Sequence, residues 1–347
     1  MAPDRSPTEE TGNVITDQDL EFHQRNAADT VWTETTYLAF HVAQAALHGT
    51  LYVLTRPNLG IALSSVVIAR GTRLHAHDVD FCDPQIHLPC PESYSDFTLQ
   101  NGLSVKAESL SEWDFSYRHK LGYCDFALHF EAFHHPFDPL DPAENPLATG
   151  KTAAGSDKLI GDAWSNGHFD TKGHITGELT LYGVRYEVDC FEGMDRSWGP
   201  RNEIPQRATS YVSANFGEEL AIWLTMTLDV KDTSQIVYDR LNSGFVVSHG
   251  KVTPVVKASV QATSEGMLAR SDEITVVDAE GRCYELFGSA IGTRPLGSFN
   301  PSIAAFQSLM RYECGEMVGY GGHGKLFGLT YLNRILASQR NELESAR

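Results

Sequence analysis

Residues 175–189 read ITGELTLYGVRYEVD and carry the clearest structural signal in this chain of 347 residues. Up to Leu181, apolar side chains alternate with threonine and glutamate, which is the period-two pattern of a half-buried strand. Tyr182-Gly183 supplies turn chemistry, and residues 184–188 return with the same alternation. The stretch therefore predicts a β-hairpin, and it leads directly into the sequence GMDRSWGPR at residues 193–201.

The same alternation recurs along most of the chain from about Thr30. The other runs that we interpret as strands are 36–47, 51–55, 61–69, 121–133 and 221–228. Residues 242–244 and 278–281 have the composition of further hairpin turns, and residues 326–346 have near-helical spacing of leucines. Many short strands with frequent turns predict an all-β sandwich or barrel, built as two β halves with a shared seam and followed by a C-terminal helix.

We place the domains as follows from composition and periodicity. Residues 1–20 are polar without periodicity and predict a disordered leader. The first β domain is expected at 21–198 and the second at 199–347. Within the first, residues 134–161 form a long run rich in proline, glycine and alanine, which is typical of a lid or a disordered insert.

Composition and motifs limit the function. A formal net charge of −18 argues against nucleic acid and anionic membrane surfaces as partners. The N-terminus lacks the pattern of a signal peptide and no run is long and apolar enough for a membrane span, so we expect a cytoplasmic protein with free cysteines. The glycine-rich stretch 319–324 lacks the context of a nucleotide site, and the pair His75 and His77 lacks further metal-ligand spacing. We expect no cofactor and no metal.

The stretch 193–201 contains the main candidates for catalytic residues. Desolvation beside Trp198 would raise the pKa of Asp195 and make it a proton donor, whereas Arg196 and Arg201 would keep it ionised. The hairpin returns the chain to one end of the sheet, so His168 and Asp195 could share a cavity as an acid/base pair. Two simpler interpretations stay open: a surface histidine, and a corner ion pair between Asp195 and one of the arginines.

Further candidates come from the first strand and the late glycine-rich strand. Glu34, Thr36 and Leu38 share one strand face, and Tyr37 lies on the other. Asn58, in the turn one strand later, could join Glu34 in a polar cluster, although a weak rim ion pair of Glu34 explains the pattern equally well. Tyr320 lies in the glycine-rich strand, where backbone and ligand or facing strands are expected to approach closely.

Four features together resemble a group of uncharacterised bacterial proteins that look like the carotenoid 1,2-hydratase and AttH superfamily. They are the E-x-x-Y-x-x-F pattern at 34–40, the hairpin, the DRSWGPR motif at 195–201 and the late GYG at 319–321. The resemblance implies two lipocalin-like (calycin-type) β barrels or half-barrels with a ligand cavity between or inside them. It also implies that Asp195 protonates an alkene, that His168 is its polar partner and that Trp198 stabilises positive charge.

The sequence therefore predicts a cofactor-independent hydro-lyase or C=C isomerase for a hydrophobic terpenoid-, steroid- or polyketide-like molecule. Asp195 and His168 are the expected catalytic residues. The expected substrate-binding residues are Trp198, Tyr37, Glu34, Arg196, Arg201, Asn58 and Tyr320. Two alternatives stay open, a non-catalytic lipocalin-like carrier and a pericyclase of the same fold, and a homodimer is considered without being assigned.

Overall fold

Two β domains follow each other in the computed structural model, which describes residues 14–148, 166–201, 207–232 and 235–345. The strands of the first domain are β1 (Trp32–Val42), β2 (Leu47–Arg56), β3 (Ile61–Arg70), β4 (Phe81–Pro89), β5 (Asp96–Thr98), β6 (Leu103–Ala107), β7 (Glu112–Arg118), β8 (Cys124–Ala132), β9 (Gly167–Leu181) and β10 (Val184–Pro200). They form one antiparallel sheet in the order β4-β3-β2-β1-β10-β9-β8-β7-β6-β5. The long strands β1, β10 and β9 therefore lie at its centre.

This sheet curls into a half-barrel whose two ends are joined by side chains. Asn101 Nδ2 and Tyr117 OH donate hydrogen bonds of 3.1 and 2.7 Å to the carboxylate of Asp83 on the edge strand β4. The concave side is packed with fully buried aromatic rings, among them Trp113 and Phe115. Because aromatic side chains occupy this interior, the first domain buries its core where a lipocalin-like barrel would hold a ligand.

The second domain is a closed eight-stranded barrel. Its strands are β11 (Ala208–Asn215), β12 (Leu220–Asp232), β13 (Gln235–Ser248), β14 (Lys251–Glu265), β15 (Leu268–Asp278), β16 (Cys283–Asn300), β17 (Ile303–Cys314) and β18 (Met317–Gly328). Helix α1 (Leu329–Ser345) follows and packs Leu332 against Phe327 and Leu228. In the described part of the chain, no helix combines the length and apolar character needed to cross a membrane.

The predicted hairpin is confirmed, and it extends well beyond the quoted stretch. Val184 pairs with Leu181 at the turn, and the ladder continues to Trp198 opposite Gly167. On its other side β10 pairs with β1, which places Tyr37 opposite Asp195. The turn at 182–183 thus determines which residues of β9 and β10 lie side by side.

The all-β fold with two lipocalin-like domains and a C-terminal helix is also confirmed, as is the turn at 278–281, which joins β15 to β16. The turn predicted at 242–244 is wrong, because these residues continue strand β13. Ser243 bonds to Thr225 across the ladder, and Gly244 fits where a Cβ would lie 2.7 Å from the carbonyl oxygen of Trp223. All six cysteines are free, as expected.

The leader and the long loop are more ordered than predicted where they are described. Asp17–Leu20 form a 3-10 helix, and Ile15 and Leu20 are buried in the core of the first domain, so the prediction of disorder is wrong for residues 14–20. Residues 1–13 lie outside the described residues. In the long loop, Phe137 packs on Phe245 of the barrel, whereas 149–161 are outside the described residues.

Candidate active site

A narrow cavity lies between the half-barrel and the barrel. Its walls are formed by Tyr37, Ala39, Asp170, Thr171, Glu192, Gly193, Met194 and Asp195 of the first domain, and by Tyr211, Ser213, Trp223 and Gln307 of the second. The free space accommodates about one water molecule. A cavity of this size must widen before an organic ligand enters.

Asp195 is the acid at the centre of this cavity. It lies between Tyr37 on β1 and Asp170 on β9, with part of its surface open to the cavity. Within the described residues, no group donates a hydrogen bond to its carboxylate and no basic side chain forms an ion pair with it. Burial raises the pKa of Asp195 to about 7, against the opposing charges of His168 and Arg201. A carboxyl group with this pKa can both donate and accept a proton near neutral pH.

His168 and Asp170 form a buried pair beside it. Their Nε2 and Oδ1 atoms are 3.2 Å apart, and both side chains are almost fully buried. Burial alone would lower the pKa of His168, but the charges of Asp170, Asp195 and Asp138 outweigh it and the pKa is raised. The second carboxylate oxygen of Asp170 has no hydrogen-bond partner among the described residues. The pair therefore places an imidazole whose charged form is favoured close to an acid that is easily neutralised.

A second buried ion pair joins the two domains at the cavity wall. Lys172 Nζ lies 3.9 Å from Glu192 Oε2 and 4.6 Å from the centre of the Trp223 ring. Ser213 of β11 accepts a hydrogen bond from Lys172 and donates one of 2.6 Å to Glu192. Burial lowers the pKa of Lys172 to about 8 and raises that of Glu192. These contacts hold the barrel against β9 and β10.

Polar groups of both domains complete the cavity wall near Asp195. The hydroxyl groups of Tyr37 and Tyr211 are 3.1 Å apart, and Gln307 Nε2 donates to Tyr37 OH at 3.1 Å. The Tyr211 ring stacks on Trp223 with the ring centres 5.4 Å apart. The cavity thus combines aromatic surface with a few directed hydrogen-bonding groups, the usual make-up of a small-molecule site.

Glu34, Arg196 and Trp198, three of the predicted binding residues, lie on the other face of the sheet. Arg196 forms a fully buried ion pair of 2.8 Å with Glu34 and donates to the carbonyl oxygens of Asp19 and Glu21. The Trp198 ring stacks on His23 at 3.9 Å. These contacts anchor the N-terminal segment in the half-barrel. The three residues do not line this cavity, because neighbouring positions on a strand face opposite sides.

The remaining predicted residues also lie away from the cavity wall. Asn58 donates to the carbonyl oxygens of Asn26 and Asp29, which again secures the N-terminal segment. Arg201 donates to Tyr52 OH and Ser197 Oγ, so it influences Asp195 through its charge without contact. The Tyr320 ring lies beside His41, 5.8 Å between ring centres. Tyr37, Asp195 and, through Asp170, His168 are the predicted residues that the structure brings together.

The expectation of close approach in the glycine-rich strand is confirmed. A Cβ on Gly321 would lie 2.0 Å from the carbonyl oxygen of Ser213, and one on Gly324 would lie 2.1 Å from the Tyr211 ring. These glycines let β18 approach β11 and leave room for Tyr211. His75 and His77 stack on each other at the surface, and in the described ranges no three histidine, cysteine or acidic side chains are placed to hold a metal.

Three further site residues of the first domain were not predicted: Asp170, Lys172 and Glu192. The hairpin contained the signal for the first two, since counting back from Tyr182-Gly183 places Asp170 opposite Asp195 and Lys172 opposite Gly193. Nor were the site residues of the other domain predicted, namely Tyr211, Trp223 and Gln307. No pattern in the sequence links those positions to Asp195.

Fold and site together define a two-domain, lipocalin-like β protein with a carboxyl group in a cavity between its domains. The chain belongs to the family described as "Domain of unknown function (DUF7064)", whose model matches residues 16–323. No curated protein matches it in sequence. Among solved structures, kievitone hydratase from Nectria haematococca is similar in fold, with a TM-score of 0.53 at 10% identity over 92% of this chain and 94% of that one. A putative AttH from Nitrosomonas europaea aligns over 93% and 99% of the two chains at 12% identity, with a TM-score of 0.49.

Proposed function

We propose that the protein is a hydro-lyase or C=C isomerase in which Asp195 transfers a proton to or from a hydrophobic small molecule. One observation carries the proposal: a cavity-lining carboxyl group without an ion pair in the described structure, whose pKa burial raises to about 7. Hydration, dehydration and double-bond migration all need such a group beside the reacting carbon. The fold supports the proposal, because it is shared with a protein named as a hydratase.

The neighbouring residues have distinct roles in this proposal. His168, held by Asp170, supplies positive charge that stabilises the carboxylate of Asp195 after it has given up its proton. Trp223 and Tyr211 provide aromatic surface for an apolar ligand. Lys172 and Glu192 keep the domains together around the cavity. We further propose that the chain belongs to the carotenoid 1,2-hydratase and AttH-like superfamily, and that its substrate is terpenoid-, steroid- or polyketide-like.

The test is product analysis with Asp195→Asn. Wild-type protein is incubated in heavy water with a panel of hydrophobic alkenes, enones and alcohols, and mass spectrometry detects gain or loss of water or deuterium uptake at carbon. Asp195→Asn should abolish these changes while the protein still binds the ligand. Asp189→Asn is the matched control, because it lies on the same strand with its side chain 69% exposed. A variant Asp195→Asn with the wild-type rate would refute the proposal.

Two other functions predict different results in the same experiment. A carrier binds ligand stoichiometrically and returns it unchanged after long incubation. A pericyclase tolerates Asp195→Asn and responds instead to the volume of the cavity, for example in Trp223→Phe. The directed acid in the cavity wall favours proton transfer over both.

A further inference from the structure

A chain of hydrogen bonds crosses the domain interface and ends in the cavity. It begins at Arg294 on β16, which is fully buried. Arg294 donates to the carbonyl oxygen of Val67, to Thr50 Oγ1 and to Gln307 Oε1. In the described part of the chain it has no ion pair with a carboxylate. Burial lowers its pKa to about 10, which still leaves it charged at neutral pH. An uncompensated buried cation is costly, so its placement calls for an explanation.

The direction of the hydrogen bonds that Arg294 and Gln307 donate follows from the chemistry of the groups. A guanidinium only donates, so the Gln307 oxygen faces Arg294 and its NH2 group faces Tyr37. Between Tyr37 and Tyr211 either hydroxyl group could donate. We assign the donation to Tyr37, which already accepts from Gln307, and this assignment leaves the hydroxyl hydrogen of Tyr211 for a ligand. Tyr211 OH has no further partner among the described residues, and Tyr211 lines the cavity.

The position of Tyr211 is well defined. Its ring stacks on Trp223 and occupies the space that the absence of a side chain at Gly324 provides. Hydrogen bonds in such a chain polarise one another, and a cation at the far end strengthens the last donor. A fixed, polarised donor in the wall of a water-poor cavity is the arrangement that stabilises a negatively charged oxygen.

We propose that Tyr211 is an oxyanion-binding donor, and that the substrate therefore carries a carbonyl group next to the carbon at which Asp195 exchanges a proton. The substrate class is then a hydrophobic enone or β-hydroxy ketone instead of an isolated alkene. This inference rests on the proposed function of Asp195. It adds Tyr211 as a second catalytic residue and Tyr37, Gln307 and Arg294 as positioning residues.

The corresponding dehydration balances without a cofactor. The Asp195 carboxylate takes the proton α to the carbonyl, the C–H electron pair forms the enolate double bond, and the carbonyl oxygen becomes an oxyanion beside Tyr211. The oxyanion electrons then re-form the carbonyl bond, the electron pair of the enolate double bond moves to form the bond between the α and β carbons, and the bond between the β carbon and its hydroxyl oxygen breaks. The departing hydroxide takes the proton back from Asp195 and leaves as water. One negative charge moves from Asp195 to the substrate oxygen and back, so the net charge of the cavity stays constant.

The test compares 2-naphthol, whose ionised form imitates the enolate oxygen, with naphthalene, which lacks the oxygen. Wild-type protein should bind naphthol more tightly than naphthalene and show the absorbance of naphtholate below the pKa of free naphthol. Tyr211→Phe keeps the ring and should lower the preference for naphthol by about 10-fold or more. Tyr123→Phe, at an exposed tyrosine, is the matched control and should behave as wild type. Equal binding of the two probes by wild type, or an unchanged preference in Tyr211→Phe, would overturn the inference.

Asp195→Asn separates this inference from the proposed function. If it keeps the naphthol preference and loses turnover, both stand. If turnover survives in Asp195→Asn, the assignment of Asp195 is wrong, and with it the substrate class, whatever naphthol does. If turnover is lost but wild type shows no naphthol preference, the proposed function stands and the oxyanion site is refuted.

Discussion

Asp195→Asn is expected to stabilise the fold although it removes the proposed catalytic group. In the folded protein, burial raises the pKa of Asp195 from 3.8 to about 7, which means that folding disfavours the ionised form. Asparagine has nearly the same shape and carries no charge at any pH. The variant therefore escapes the cost of burying a carboxylate.

The sign and size of the effect follow from proton linkage. Between pH 3.8 and about 7 the folded state binds more protons at this site than the unfolded state, so the contribution of Asp195 to stability falls as pH rises through this range. At 1.36 kcal/mol per pH unit, the loss is on the order of 4 kcal/mol above pH 7. Relative to wild type, Asp195→Asn should thus gain stability with rising pH and level off above about pH 7.

The assay is urea unfolding of both proteins across this pH range. The quantity of interest is the difference in the free energy of unfolding between variant and wild type at each pH. Asp189→Asn serves as the control and should change by no more than about 1 kcal/mol, because its ion pair with His174 is exposed. Parallel pH profiles of Asp195→Asn and wild type would refute the claim that the buried carboxyl group is destabilised.

Two further variants test the assignments on either face of the sheet. Glu34→Gln leaves the charge of buried Arg196 unbalanced and should lower the free energy of unfolding in urea by about 3–5 kcal/mol. Glu178→Gln, in an exposed pair with Arg185, is the control and should lower it by at most about 1 kcal/mol. Equal losses in the two variants would contradict a structural role for Glu34. Gly324→Ala brings a methyl group within 2.1 Å of the Tyr211 ring and should cost about 1–3 kcal/mol while weakening the naphthol preference. In Gly322→Ala the new methyl group meets no atom closer than 3.3 Å, so this variant should lose less stability and less of the naphthol preference than Gly324→Ala. Larger losses in Gly322→Ala than in Gly324→Ala would contradict the assignment of Tyr211 as the donor.

Local patterns in the sequence were sufficient to predict the central strands of the first domain. Alternation and a two-residue turn are local signals, so the hairpin of β9 and β10 could be predicted. With it followed the placement of Asp195 on the strand next to the one that carries His168. The turn at 242–244 was mispredicted for a related reason. Asn-Ser-Gly is favourable in turns, but here a glycine is required inside a strand, close to the backbone of Trp223.

The site residues that could be predicted all lie on β1, β9 and β10 of the first domain. Alternation placed Glu34 and Tyr37 on opposite faces, and the structure separates them accordingly. Grouping Glu34, Arg196 and Trp198 with Asp195 ignored this rule, because the motif is contiguous in sequence but divided between two faces of the sheet. Tyr211 and Gln307 approach through the packing of one domain on another, which no short-range pattern encodes.

The division of the cavity between the two domains has a consequence for recombination within the gene. Asp195, the proposed proton-transfer group, lies on one half of the chain and Tyr211, the proposed donor, on the other, with the connection running between Pro200 and Ala208. A gene fragment that encodes either half would carry only part of the cavity wall. Recombination that exchanges one half for that of a distant relative would have to bring a matching partner surface with it.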